Sequence, residues 1–169
     1  METLRTILSR RSIRKYSGRD IPEEHDEILL RAAMYAPSAR NRQPWHFIII
    51  GDKTILTALA ESTPAWKMLS HASRAIIICG DTTIEDTESF LIQDCSAATQ
   101  NILLTAHELG LGAVWLGVHP REDRVSTISE LFKLPSNIIP VSMISLGYPD
   151  EERQTEDRYL SERIHFDRW

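Results

Sequence analysis

Ala36-Pro37-Ser38-Ala39-Arg40-Asn41-Arg42-Gln43-Pro44-Trp45 is the stretch where a helical apolar pattern gives way to the apolar run Phe47-Ile48-Ile49-Ile50. Each proline biases the residue before it away from the helical region, so the helix is expected to stop by Ala36 and the strand to start after Pro44. Between them lies a stiff loop, too crowded with prolines, amides and a tryptophan for an ordinary turn. Ser38, Asn41 and Gln43 offer hydroxyl and amide groups that donate and accept, which suits a planar polar ligand with alternating ring nitrogens and carbonyls. A capped helix end and a surface turn would use the same residues. The choice rests on what surrounds them.

Upstream, Pro22 with Glu23 and Glu24 marks a helix start, and Ile28, Leu29, Ala32, Ala33 and Ala36 share the face that leads into the loop. Before it, Leu4, Ile7 and Leu8 form a short helical stripe that ends at Arg10-Arg11-Ser12-Ile13-Arg14-Lys15-Tyr16. Arg5, Arg10, Arg11, Arg14, Lys15 and Arg19 face only Glu2 and Asp20 over the first twenty residues, so this end is strongly positive. Three arginines beside a serine hydroxyl can hold a phosphate by forked, charge-assisted hydrogen bonds. A solvated basic face is the plainer reading of that segment alone.

Downstream, Ile55, Leu56, Leu59 and Ala60 predict a helix, and Lys67 follows in the apolar setting Trp66-Lys67-Met68-Leu69, where it either snorkels or meets a ligand. Residues 75–80 read as a strand of the fully buried kind. Leu91, Cys95, Ala98, Ile102, Thr105 and Leu109 trace a long helix with a narrow seam of partly small residues, closed by Gly110. Such a seam permits close approach by another helix, within the core or from a second subunit. A strand over 113–118, a helix over 123–132 and a strand over 137–147 follow. From Tyr148 onward the chain is charged, with Tyr159, Ile164, Phe166 and Trp169 spaced as if to dock. Four strands alternating with helices predict one α/β or α+β layer structure.

The composition, 169 residues with 42% hydrophobic and 25% charged, is that of a globular domain, and no run reaches the roughly 20 apolar residues of a membrane span. With no signal-peptide pattern either, the expected location is the cytoplasm. The net charge of −5 argues against general nucleic-acid binding. Cys79 and Cys95 read as packing thiols, and no histidine spacing suggests a metal. Without a P-loop, a glycine-rich dinucleotide motif or a nucleophile elbow, a bound organic cofactor is the economical source of chemistry.

Taken as a set, the Arg10–Tyr16 motif, the 36–45 loop, Ala113-Val114-Trp115-Leu116-Gly117 after a long helix, and Gly147-Tyr148-Pro149 before a charged tail resemble the nitroreductase family of FMN-dependent oxidoreductases. The likeness covers nearly the whole chain. It implies an α+β nitroreductase-like fold, a central mixed β-sheet flanked by helices, in an intertwined homodimer. Residues 1–169 would form a single FMN-binding domain, with 148–169 as a tail docking on the partner subunit. The resemblance implies that Arg10, Ser12 and Arg14, with Arg11 alongside, grip the FMN phosphate and ribityl chain, and that Arg158 closes on the phosphate. Pro37, Ser38, Ala39 and Asn41 would contact the ring of the other subunit's flavin. Lys67 would approach the pyrimidine edge, and the backbone at Leu116 and Gly117 would face the flavin. The long helix's small-residue seam would be a natural dimer interface.

The implied activity takes a hydride from NAD(P)H and passes electrons to a small nitroaromatic, quinone or related acceptor in a ping-pong cycle. No catalytic side chain is singled out. A protein that stores or senses FMN without turnover is the alternative. One departure stands out: Glu156 occupies a position, two before Arg158, that is basic in many members, and it is expected to weaken the phosphate clamp.

Overall fold

The structure, a computed structural model, describes residues 2–169. Its elements in chain order are α1 (Glu2–Ser9), α2 (Glu23–Met34), β1 (Trp45–Ile50), α3 (Lys53–Ser62), β2 (Arg74–Asp81), α4 (Glu88–Glu108), β3 (Gly112–Gly117), α5 (Glu122–Phe132) and β4 (Ile138–Gly147). Short 3₁₀ segments lie at Ala39–Asn41, Pro64–His71 and Ser161–Arg163. Each expected helix and strand is present, with bounds shifted by a few residues. The helix before Pro37 ends at Met34, where the Tyr35 N–H turns back onto the Arg31 and Ala32 carbonyls.

The sheet order is β1-β2-β4-β3, and all three pairings are antiparallel. This corrects the expectation of a mixed sheet: among the described residues the one parallel pairing is the isolated bridge Ser12–Ala113. The apolar run in β2 had suggested burial on both faces, and that holds. Ile76 and Ile78 join Ile144 and Leu146 beneath α2 and α4, while Ala75, Ile77 and Cys79 join Val114, Leu116 and Met143 beneath α3, α5 and the 64–71 segment. Helices on both faces, not strand direction, bury the strand. Burial also pushes the Cys79 and Cys95 thiols up to about 12, leaving them neutral packing groups.

The α4 seam faces this chain's own sheet. Leu91, Cys95, Ala98 and Ile102 are fully buried in the core under α4, so they are not a surface for a second subunit. Gly80 explains the small spacing on the β2 side, because a Cβ there would collide with the Leu91 side chain.

The segment after β4 returns along the basic motif. Ser17 N–H donates to Tyr148 O (3.0 Å), Asp150 N–H to Lys15 O (2.9 Å), and Arg14 N–H to Glu151 Oε1 (2.6 Å). Residues 148–154 therefore pack on their own chain's 11–17 stretch. Beyond them the tail is exposed, with Tyr159 at 71% and Phe166 at 86%.

Candidate functional site

The basic motif is held at the start of β3. Ile13 N–H donates to Ala113 O (3.0 Å), and Tyr16 packs over Gly147 with its hydroxyl 2.9 Å from Ser145 Oγ and 3.0 Å from Ile13 O. That anchoring presents Arg10, Ser12 and Arg14 on one side, and the returning tail brings Arg158 to them. Two open cavities result. One of about 450 Å³ is lined by Arg11, Ser12, Arg14, Arg153, Gln154, Glu156 and Arg158, and one of about 730 Å³ by Arg10, Arg11 and Arg158 among others.

Three of the cations there lack an ion pair. Arg10, Arg14 and Arg158 have no carboxylate partner among the described residues, and Arg10 Nε is buried without an acceptor. Burial, then the Arg158 charge, then the Arg11 charge hold the Arg10 guanidinium below its usual value. An anion bound among these groups would offset the repulsion from Arg158 and Arg11. Arg11 differs from its neighbours: it donates to Leu8 O (2.8 Å), Arg10 O (2.7 Å) and Gln154 O (3.1 Å), so its first task is to close the end of α1 and pin the tail. Glu156 lines both cavities, a carboxylate among cations as the sequence implied.

At the far end of β3 a second group of expected residues meets. Gly117 O accepts from Arg124 Nη1 (2.6 Å), and the same guanidinium lies over the Trp66 ring at 5.8 Å. Trp66 is buried and Lys67, beside it, is exposed, its ammonium without a partner among the described residues. Leu116 is buried and anchors the strand, while Gly117 reaches the surface. From Ala113 to Gly117 the strand covers about 13 Å at ~3.3 Å per residue.

The 37–44 loop sits elsewhere. Arg40, Asn41 and Gln43 all adopt left-handed φ values, 54°, 55° and 53°. Each costs a non-glycine residue on the order of 1 kcal/mol or more, less for Asn, and such strain persists only where the surroundings over-determine it. Here they do: Gln43 N–H donates to Ser38 Oγ (3.0 Å), Gln43 Nε2 to Asn41 Oδ1 (3.1 Å), and Ala39 N–H to Asp94 Oδ1 on α4 (2.9 Å). Pro37 and Asn41 are exposed and Ser38 and Ala39 half-buried, leaving the Asn41 amide NH₂ and the Gln43 carbonyl without partners among the described residues. The basic motif contacts α4 at its other end, through the Ser9–His107 hydrogen bond (2.8 Å). Asp94 and His107 are thirteen residues apart, about 20 Å at 1.5 Å per residue. Within one chain, then, the loop and the cationic cluster do not converge.

The sequence profile described as the Nitroreductase family matches residues 7–72 and 67–148. The chain belongs to the nitroreductase family. A Methanothermobacter thermautotrophicus protein, provisionally named an NADH dehydrogenase/NAD(P)H nitroreductase, is 49% identical over all of this chain and 88% of its own length. A crystal structure of a similarly named Parabacteroides distasonis protein superposes with a TM-score of 0.95 at 42% identity, covering 100% of this chain and 99% of that one. A Desulfovibrio desulfuricans protein, provisionally described as a nitroreductase and solved in complex with FMN, superposes with a TM-score of 0.89 at 31% identity, covering 100% and 98%.

Three residues of this nitroreductase-family chain that shape the site escaped sequence reasoning. Glu151 orders the basic motif from the returning tail, Arg124 ties Gly117 to Trp66, and Asp94 fixes the loop. Asp94 alone had a sequence signal, a carboxylate beside the apolar seam at Cys95. The other two act across turns that no local pattern reports.

Proposed function

We propose that this nitroreductase-family chain is an FMN-dependent oxidoreductase acting as a cytoplasmic homodimer, in which each flavin is bound by both subunits. The observation that carries this reading is the cluster of Arg10, Arg14 and Arg158 around Ser12, none of them ion-paired among the described residues, in which the buried Arg10 Nε lacks an acceptor. A phosphate dianion fits that donor set, and a linear cofactor running from it along β3 toward Gly117 would approach Lys67. The relatives named above, one of them crystallised with FMN, support the same group.

FMN bound there would supply the redox chemistry, taking a hydride from NADH or NADPH and passing the electrons to a nitroaromatic, quinone or related acceptor in a ping-pong cycle. The protein's own contribution is binding, orientation and water exclusion. Arg10, Ser12 and Arg14 fix the phosphate and therefore the register of the cofactor along β3. Lys67 places a positive charge where the pyrimidine edge would lie, favouring negative charge on that edge. Pro37, Ser38, Ala39 and Asn41, anchored on α4 about 20 Å from where the end of α1 meets that helix, serve the partner's cofactor in this reading. The exposed tail beyond residue 154, with Tyr159 and Phe166, reaches the partner in this reading.

The deciding experiment is the visible spectrum of the purified protein before and after anaerobic NADH or NADPH. Flavin bands that bleach with one donor are the expected result. Bands that persist with both would leave a carrier without turnover, and a protein that takes up no FMN would overturn the reading. Arg10→Glu and Arg14→Glu are expected to lose bound FMN by tenfold or more in affinity, since each replaces an attractive phosphate contact with a repulsive one.

A further inference from the structure

The 37–44 loop is held at two points by buried carboxylates. Asp94, 5% exposed on α4, accepts the Ala39 N–H at 2.9 Å. Glu85, fully buried in the segment before α4, forms an ion pair with Arg42 Nη1 at 3.1 Å and accepts the Thr87 N–H at 2.9 Å. Between the two gripped residues lie Arg40 and Asn41, both left-handed, and Gln43 follows in the same region. Asp94 Oδ2 and Glu85 Oε2 are both buried without a hydrogen-bond partner among the described residues. Burying two carboxylates this way is costly, and fold stability alone is served as well by apolar packing. A loop whose backbone must be held in an unfavourable shape accounts for their retention.

We propose that Asp94 and Glu85 are positioning residues that lock the 39–43 turn in its ligand-ready conformation before any flavin is present. The proposal rests on the reading above that Pro37, Ser38, Ala39 and Asn41 meet a flavin ring. Asp94 acts at the entry of the turn, through the Ala39 N–H; Glu85 acts at its exit, through the Arg42 guanidinium, which also reaches Asp86 at 3.3 Å. With both ends fixed, the turn's remaining bonds close on themselves: Asn41 N–H donates to Ser38 O (3.0 Å) and Arg42 N–H to Ala39 O (3.1 Å). The exposed Asn41 amide and Gln43 carbonyl are then presented without further ordering. Affinity for a ligand falls in proportion to the fraction of protein whose site is already competent, so releasing the clamp weakens binding without removing a ligand contact. Burial and the nearby Glu85 charge raise the Asp94 carboxyl, against the opposing effect of the Ala39 hydrogen bond, as expected for a group kept out of water for its geometry.

Two measurements on the full-length protein test this. Amide hydrogen exchange of the FMN-free protein should show Ala39, Asn41, Arg42 and Gln43 already protected; exchange that is fast without FMN and slows only when FMN is added would overturn the clamp. In parallel, FMN affinity by fluorescence quenching and the visible circular dichroism of the bound flavin are compared for wild type, Asp94→Ala and Asp94→Asn. Asp94→Ala should weaken FMN about tenfold and alter the dichroism, with Asp94→Asn, which keeps an acceptor for the Ala39 N–H, returning affinity to within about threefold. An Asp94→Ala protein that melts earlier but binds FMN with wild-type affinity and dichroism would reduce Asp94 to a structural residue. Should Asp94→Ala not fold, the exchange data still decide. Failure of the wild type to take up FMN overturns the flavin reading instead, a result distinct from unprotected amides.

Discussion

Asp81 shows how one carboxylate joins separate strands near the loop. Its Oδ1 accepts from Thr83 N–H (2.8 Å), Thr83 Oγ1 (2.7 Å) and Asn137 Nδ2 (2.9 Å), and its Oδ2 lies 3.5 Å from His46 Nε2. Those bonds, led by Thr83 and Asn137, hold its pKa down to about 2. Because the folded value lies below the unfolded one, near 3.9, the stabilisation is fully present above about pH 4 and is lost as pH falls toward 2. The gap corresponds to at most about 2–3 kcal/mol. Thermal melting from pH 5 to pH 2 should therefore show a fall in midpoint that Asp81→Asn flattens; an unchanged slope in the variant would remove Asp81 from the account.

The join between β4 and the basic motif is a steric one. Gly147 ends β4, and a Cβ there would lie 2.7 Å from the Tyr16 ring, closer than side chains normally approach. Tyr16 is buried, its hydroxyl pushed up to about 12 chiefly by that burial, and it fixes the register of Arg10 to Arg14 against β3. Gly147→Ala must move Tyr16, at a cost of about 1–3 kcal/mol as in other overpacked cores. The expected outcome is a lower melting temperature together with reduced FMN retention, read from the flavin-to-protein absorbance ratio. Melting that drops while retention stays at the wild-type level would separate the strand end from the site.

For the whole molecule, the distribution of exposed apolar groups matters most. Leu4 at 59% and Leu8 at 62% are exposed on α1, and the tail, whose Tyr159 lines one cavity with Leu8, exposes Tyr159 and Phe166. With the loop and the cationic cluster 20 Å apart along α4, a second copy covering this surface would also complete the site. Leu4→Asp combined with Leu8→Asp should yield a monomer by light scattering that no longer retains FMN. A dimer that persists with flavin bound would place the interface elsewhere.

Much of this was legible in the chain itself. Apolar periodicity marked all four strands and five helices, because burial on a helix or strand face imposes its own repeat on the sequence. The prolines at 37 and 44 bounded the loop, since their ring restricts the residue before them wherever they occur. The motifs around Arg10, Ser38 and Gly117 carried the family resemblance that the profile match bears out. Strand direction was not legible: a buried run such as residues 75–80 looks alike in parallel and antiparallel sheets when helices cover both faces. The partners of the α4 seam were equally hidden, because small residues signal close approach without saying to what, and here it is the chain's own β2 at Gly80. Glu151 on the backbone of Arg14, Arg124 on Gly117 and Asp94 on Ala39 depend on residues 137, 7 and 55 positions apart being brought together. Local pattern reports what a residue does to its neighbours in sequence; only the packed fold decides which distant groups must share one hydrogen bond.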